Sequence, residues 1–243
     1  EPGRSGELAA ERREARRRFA WLRRLGRSPG LRRRLLLVVG ALALAIVTGL
    51  AIVVRALVVL PVDLWFTQGL QSHEWPWLIA LMAWVSLPGY APWSLVAVGL
   101  GTALVALLLS WREGLYLLAV TSAQGLLNAA IKAAIGRPRP EAELVEIFAP
   151  VRGFSFPSGH VMFYTVFFGF LAFLAWARLR PAALRPPLIA LLLAMVALVG
   201  PSRIVLGAHW LSDVIAAYLL GGLVLALAVE GYLRYLPPAA PDG

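Results

Sequence analysis

Long apolar runs constrain this chain more than any other feature. Stretches centred on about Leu35–Leu57, Pro92–Ser110, Leu115–Ile135, Pro157–Ala177, Leu188–Val205 and Trp210–Tyr232 carry few charges. Each is near the roughly 20 residues that an α-helix needs to cross a bilayer. Inside hydrocarbon every backbone N–H and C=O must find a partner within the protein, which leaves helices as the solution for segments of this length. The expected fold is therefore all-α, a polytopic membrane bundle of six transmembrane helices. Composition agrees: charged residues make up 15% of the chain and mean hydropathy is +0.75, whereas soluble domains carry about 25% charge.

The net charge of +10 is unevenly placed. Residues 1–34 hold twelve arginines against four glutamates, a balance of +8. A basic cluster leading straight into a span marks the cytoplasmic side and can meet anionic lipid headgroups, so no nucleic-acid partner is expected. Three parts follow: a basic cytoplasmic segment or linker over 1–34, a six-span membrane domain over 35–236 and a short tail over 237–243. Residues 7–27 fit either a lipid-touching helix, through Phe19, Trp21, Leu22 and Leu25, or a solvated tail. "SPG" at 28–30 breaks the chain after them. The chain opens on Glu1, which fits a piece of a longer polypeptide, and the basic region is too long to read as a cleaved signal peptide. There are no cysteines, so no disulfide or zinc–thiolate site exists.

Residues 61–89 interrupt the pattern. Trp65, Trp75, Trp77 and Trp84 stand among polar residues, which suits an interfacial segment, or a short re-entrant helix over 76–87. With the basic head inside, the turn at Arg112 and the loop with Arg178, Arg180 and Arg185 also fall inside. The 61–89 segment, the 137–157 loop and the 203–209 link fall outside. Both termini are then cytoplasmic, as the positive-inside rule expects of a cell-membrane protein.

This topology brings three polar groups to one membrane face: "KAAIGRPRP" with Lys132, Arg139 and Pro140; "PSGH" from Pro157 to His160; and "SRIVLGAHWLSD" with Ser202, Arg203, His209 and Asp213. Ionisable residues near membrane depth are costly and mark function. Lys132 is the only lysine among 23 basic residues, and two of three histidines belong to these groups. His73 reads as an ordinary polar residue, and Arg137 as an arginine snorkelling at a span end. His209 and Asp213, four apart, share a helix face. That spacing fits an oriented nucleophile or a satisfied pair closing a helix start, and nearby Arg203 favours the first. Lys132, Arg139 and Arg203 suit a tetrahedral oxyanion. Ser158 reads as a helix N-cap and Gly159 as a point of close backbone approach, next to an anion-binding helix start.

The spacings Lys-x6-Arg-Pro, Pro-Ser-Gly-His and Ser-Arg-x5-His-x3-Asp resemble the three-part signature of the type-2 phosphatidic acid phosphatase family. Vanadium haloperoxidases and bacterial acid phosphatases share it. The likeness covers roughly residues 60–232. It implies catalysis by His209, His160 and Asp213: His209 as nucleophile forming a phosphohistidine, Asp213 orienting it and His160 as acid and base. It also implies that Lys132, Arg139, Ser158, Gly159 and Arg203 hold the phosphate, with Pro140, Pro157 and Ser202 completing the motifs. No cofactor and no metal are expected: three cations can take a metal's place, and Glu141, Glu143 and Glu146 read as a solvated loop face. The site lies at headgroup level near Phe154 and Phe156, so the expected substrate is a lipid phosphate. Candidates are a polyprenyl diphosphate such as undecaprenyl diphosphate, phosphatidate and phosphatidylglycerol phosphate. The alternatives are a lipid phosphotransferase using the same intermediate and an inactive lipid-binding membrane module.

Overall fold

The computed structural model describes residues 29–73, 75–179 and 183–236. The basic segment through residue 28 and the tail over 237–243 lie outside the described residues. Eight α-helices account for the rest, with no strand among the described residues: α1 (Pro29–Ala56), α2 (Pro61–Gln71), α3 (Pro76–Ser86), α4 (Trp93–Leu108), α5 (Trp111–Ile135), α6 (Gly159–Arg178), α7 (Arg185–Val205) and α8 (Leu211–Tyr235). The "SPG" expected to break the chain instead starts a helix at Pro29, so residues 29–34 belong to α1. Proline also opens α2, α3 and α7 near their first position, where its missing N–H has no intrahelical partner to lose. Ser110 caps α5 by accepting from the Glu113 N–H at 3.3 Å. Gly136 ends that helix in the left-handed conformation, its N–H donating to the Lys132 carbonyl at 2.9 Å, the usual glycine C-terminal cap.

Five helices are long and apolar enough to cross a membrane: α1, α5, α6, α7 and α8. A sixth crossing needs α3 and α4 together. The expected clean span over 92–110 is corrected here: α4 has 16 residues, about 24 Å at 1.5 Å per residue against a hydrocarbon core of about 30 Å. It joins α3 through a short 3-10 turn (Leu87–Gly89) and a 61° bend. Pro88 and Pro92 lie at the break, and neither can donate to a continuous helix. Trp65, Trp77 and Trp84 point outward, as interfacial tryptophans would. Asp63 and Thr67 of α2 point inward and are buried.

The centre of the bundle is α6. Two-thirds of its most apolar window is buried (67%), against 22% for α1. At one end Phe156, Val161, Met162 and Tyr164 pack with Val54 of α1, Val199 of α7 and Ala216 of α8. Lower down, Phe167, Phe170 and Leu174 meet Val105, Leu117 and Tyr232. Leucines and valines on the outer faces of α1 and α4, such as Leu37, Val39, Leu100 and Leu107, are exposed, as a lipid-facing surface requires. The far end is pinned by buried Glu113, which accepts from the Tyr232 hydroxyl and pairs with Arg178 at 3.4 Å.

The alternating directions of α5, α6, α7 and α8 bring the end of α5, the start of α6, the end of α7 and the start of α8 to one end of the bundle. The link from α7 to α8 turns at Gly207, whose φ is +67°, and a Cβ there would lie 2.0 Å from the Glu146 carbonyl oxygen. Gly207→Ala is expected to cost about 1–3 kcal/mol from backbone strain alone, and the clash adds to it. A lowered melting temperature in detergent, with loss of whatever chemistry His209 supports, is the readout.

Candidate active site

The same end of the bundle collects all three polar motifs. Arg137 and Arg139 leave α5 on the extended "GRPRP" segment, which cannot continue a helix because residues before proline avoid helical dihedrals. The two arginines part company there. Arg139 stays half-buried and donates from Nε to the Gly153 carbonyl at 3.0 Å and from Nη1 to the Ala208 carbonyl at 2.7 Å. The same Nη1 reaches His209 Nε2 at 3.0 Å.

Arg137 corrects the expectation of a snorkelling arginine. It is 2% exposed and uses all five of its N–H donors. Nε and Nη2 donate to the Val58 carbonyl at 3.0 and 2.9 Å. Nη2 also meets Asp63 Oδ2 at 2.8 Å, and Nη1 meets Asp213 Oδ1 at 2.6 Å and Ser212 Oγ at 2.7 Å. Asp63 in turn accepts from the Ser212 N–H at 2.8 Å and the Ser212 hydroxyl at 2.7 Å. An isolated buried guanidinium or carboxylate would cost several kcal/mol. Here each is paired.

His209 is 1% exposed. Its Nδ1 faces Asp213 Oδ2 at 3.4 Å, a long contact, while that oxygen also accepts from the Trp210 N–H at 2.9 Å. A carboxylate only accepts and a guanidinium only donates. The partners therefore select one neutral tautomer, with the proton on Nδ1 and the lone pair on Nε2. That lone pair points to the side where Arg139 lies.

The start of α6 forms the opposite wall. Ser158 occupies the N-cap position, but its side chain makes no cap bond, and its buried Oγ has no partner among the described residues. Its N–H donates to the Asp213 carbonyl at 3.2 Å, which ties α6 to α8. The expected cap is thus a cap by backbone geometry alone. A Cβ on Gly159 would stand 3.1 Å from Asn128 Oδ1 and 3.9 Å from Lys132 Cε. Lys132 Nζ donates to the Phe154 and Ser155 carbonyls at 2.5 and 3.1 Å. Pro140 and Pro157 are buried beside these segments. Ser202 donates to the Val199 carbonyl at 2.7 Å and pairs with Ser86 Oγ at 2.8 Å, fastening α7 to α3.

Arg203 and His160 complete the group through Tyr90, a residue the sequence did not single out. Arg203 is fully buried, donates from Nη1 to the Tyr90 hydroxyl at 2.6 Å and lies over its ring, 5.0 Å from the centroid. The same ring meets His160 edge-on at 4.5 Å. Nε and Nη2 of Arg203 and Nε2 of His160 are buried with no hydrogen-bond partner among the described residues. Together with Ser158 Oγ, these are buried polar atoms gathered at one end of the bundle, whereas most buried polar groups are hydrogen-bonded. Among the described residues no group of three or more His, Cys, Asp or Glu side chains is placed to hold a metal ion. Glu141, Glu143 and Glu146 are exposed.

The sequence is consistent with this geometry. The profile of the PAP2 superfamily matches residues 113–235. The chain is 32% identical over 162 residues to phosphatidylglycerophosphatase B of Bacillus subtilis, covering 65% of this chain and 76% of that protein. It is 35% identical over 176 residues to lipid A 1-phosphatase of Rhizobium etli, covering 69% and 71%. The crystal structure of a transmembrane PAP2-type phosphatidylglycerolphosphate phosphatase from Bacillus subtilis superposes with a TM-score of 0.69 at 26% identity, over 79% of this chain and 94% of that one. This chain belongs to the PAP2 superfamily and is a multi-pass membrane protein. Asp63 and Tyr90 lie before the matched segment.

Burial holds the His209 imidazole well below its ordinary range of protonation, and the charges of Arg139, Arg203 and Lys132 push the same way. Burial, then the charge of Arg203, brings Arg139 down to about 10, so it remains a cation at neutral pH. Because His209 is depressed relative to its unfolded value near 6.5, its contribution to stability is full above that pH and is lost as pH falls through and below it. Nitrogen NMR of the histidine rings in detergent should find His209 still neutral, with Nδ1 protonated, at pH 6 in the ligand-free protein. A ring fully protonated there would contradict the assignment.

Proposed function

We propose that this chain is a membrane phosphatase that hydrolyses a lipid phosphate through a phosphohistidine on His209. One observation carries the reading. The His209 Nε2 lone pair, the guanidiniums of Arg139 and Arg203 and the unpartnered Ser158 and His160 atoms gather at one end of the bundle, where they would surround a tetrahedral oxyanion. Phosphoryl transfer needs positioning and charge neutralisation above all, and these groups supply both.

In the first step His209 Nε2 bonds to phosphorus while the bond from phosphorus to the leaving oxygen breaks. Protonated His160 gives its proton to that oxygen. The phosphorylated imidazole is cationic and keeps its Nδ1 proton, which Asp213 accepts as a hydrogen bond. In the second step neutral His160 takes a proton from water, the water oxygen bonds to phosphorus and the Nε2–phosphorus bond breaks. Both histidines return to their starting forms. Lys132, Arg139, Arg203, the Ser158 hydroxyl and the N–H groups opening α6 hold the phosphoryl oxygens.

Phosphatidylglycerol phosphate is the first substrate to test, on the strength of the Bacillus subtilis relative. Phosphatidate, a polyprenyl diphosphate and a lipid A 1-phosphate complete the panel. Exposed Phe148 and Phe154 near the site suit a substrate whose tails stay in the bilayer. In detergent, wild type should release phosphate from at least one member, and His209→Ala should release essentially none. His160→Ala should fall by about a hundred- to ten-thousandfold. Activity should persist in excess chelator, because the arginines and lysine take the place of a metal. Phosphate appearing on a second alcohol instead of in water would move the assignment to a transferase. No turnover of any substrate would leave a lipid-binding module.

The active end is proposed to face outward and both termini inward, supported by Arg112 and Arg178 at the opposite end. The absence of native cysteine allows a direct check. In intact cells an impermeant maleimide should label Glu143→Cys, and should label Arg112→Cys only after permeabilisation. The reverse pattern would invert the topology.

A further inference from the structure

The sharing of Arg137 between two carboxylates has a meaning for the reaction. Asp213 alone with Arg137 would form a closed neutral pair, and its negative charge would be spent on the guanidinium. Asp63 changes that balance. It holds Arg137 Nη2 at 2.8 Å, while Asp213 holds Nη1 at 2.6 Å. With both carboxylates ionised, the cluster of two carboxylates and one guanidinium has a net charge of −1, in a place where all three side chains are shielded from solvent. The other oxygen of Asp213 faces the α7–α8 link, where Oδ2 meets the Trp210 N–H and His209 Nδ1.

Asp63 also fixes where Asp213 sits. Its two oxygens take the N–H and hydroxyl of Ser212, the residue immediately before Asp213. A carboxylate at a helix start is stabilised by the backbone N–H groups there. Asp63 reaches that start from α2, a helix outside the family-matched segment.

We propose that Asp63 is a positioning residue for phosphoryl transfer: by taking a share of Arg137 it leaves Asp213 one uncompensated negative charge to orient His209 and to stabilise the cationic phosphohistidine. This rests on His209 being the nucleophile. The other charged groups around His209 are Arg139 at 3.0 Å, Lys132, Arg203 and His160, and the charge on Asp213 opposes the three fixed cations among them.

The test is a charge series in the full chain in detergent: wild type, Asp63→Asn, Arg137→Gln and the double variant. Their cluster charges are −1, 0, −2 and −1. Asp63→Asn is expected to lower kcat on the order of tenfold to a hundredfold, the range typical when the outer partner of an oriented histidine is removed, with KM changed little. The acid limb of kcat/KM should move to lower pH in Asp63→Asn and to higher pH in Arg137→Gln, each by roughly one unit. The double variant should return to the wild-type limb. Substrate ionisation is common to all four and drops out of the differences.

A residue that only anchors α2 to α8 would leave the limb in place, and would make the double variant no better than the worse single one. Either result overturns the proposal. If Asp63→Asn does not fold, the move of the limb from Arg137→Gln back to wild type in the double variant tests the same claim. His209→Ala run alongside separates the two levels. Activity surviving in that variant removes the nucleophile assignment itself. Its loss, with the acid limb unmoved across the series, removes only the role of Asp63.

Discussion

Arg137 is the interaction on which the site depends. Its guanidinium reaches the end of α1 through the Val58 carbonyl, α2 through Asp63 and α8 through Ser212 and Asp213. Burying such a cation is costly unless every donor is matched with good geometry, and each match is supplied by a different part of the chain. The network therefore forms only when these segments arrive together. What looks like an expensive use of buried charge is also a condition on assembly: the start of α8, and with it the orienting face of His209, is fixed only in the fully packed bundle.

Much of the chemistry was readable from residue type and spacing. Lysine used once, two of the three histidines placed in the motifs and arginines grouped with them pointed to the set proposed to bind phosphate, because such residues are costly near a membrane. The apolar runs gave the helices their places, since span length is set by bilayer thickness. The buried role of Arg137, read as a snorkelling arginine beside Arg139, was not visible in this way. Both lie in "GRPRP", and their fates differ because Asp63 stands 74 positions earlier in the chain. No local pattern encodes that contact. The one signal was an acid inside "LPVDLWF", an otherwise apolar opening to a helix.

The region from 61 to 90 was the least legible, for a related reason. Its helices are short, begin with proline and carry tryptophan outward, so neither length nor periodicity assigns them a depth. Their inward residues acquire meaning only from the partners they meet: Asp63 from Arg137, Ser86 from Ser202, Tyr90 from Arg203 and His160. The signature motifs accordingly carry the proposed reacting groups, while the preceding helices supply the surfaces that hold them in place.

The break between α3 and α4 sits directly against those reacting groups. A Cβ on Gly89 would run into the His160 ring at 2.2 Å, and the next residue is Tyr90. One wall of the candidate site is thus built on backbone that belongs to no continuous helix. Its position follows the 61° angle between two short helices. The geometry at His160 and Arg203 is in this way tied to how sharply the chain bends between α3 and α4.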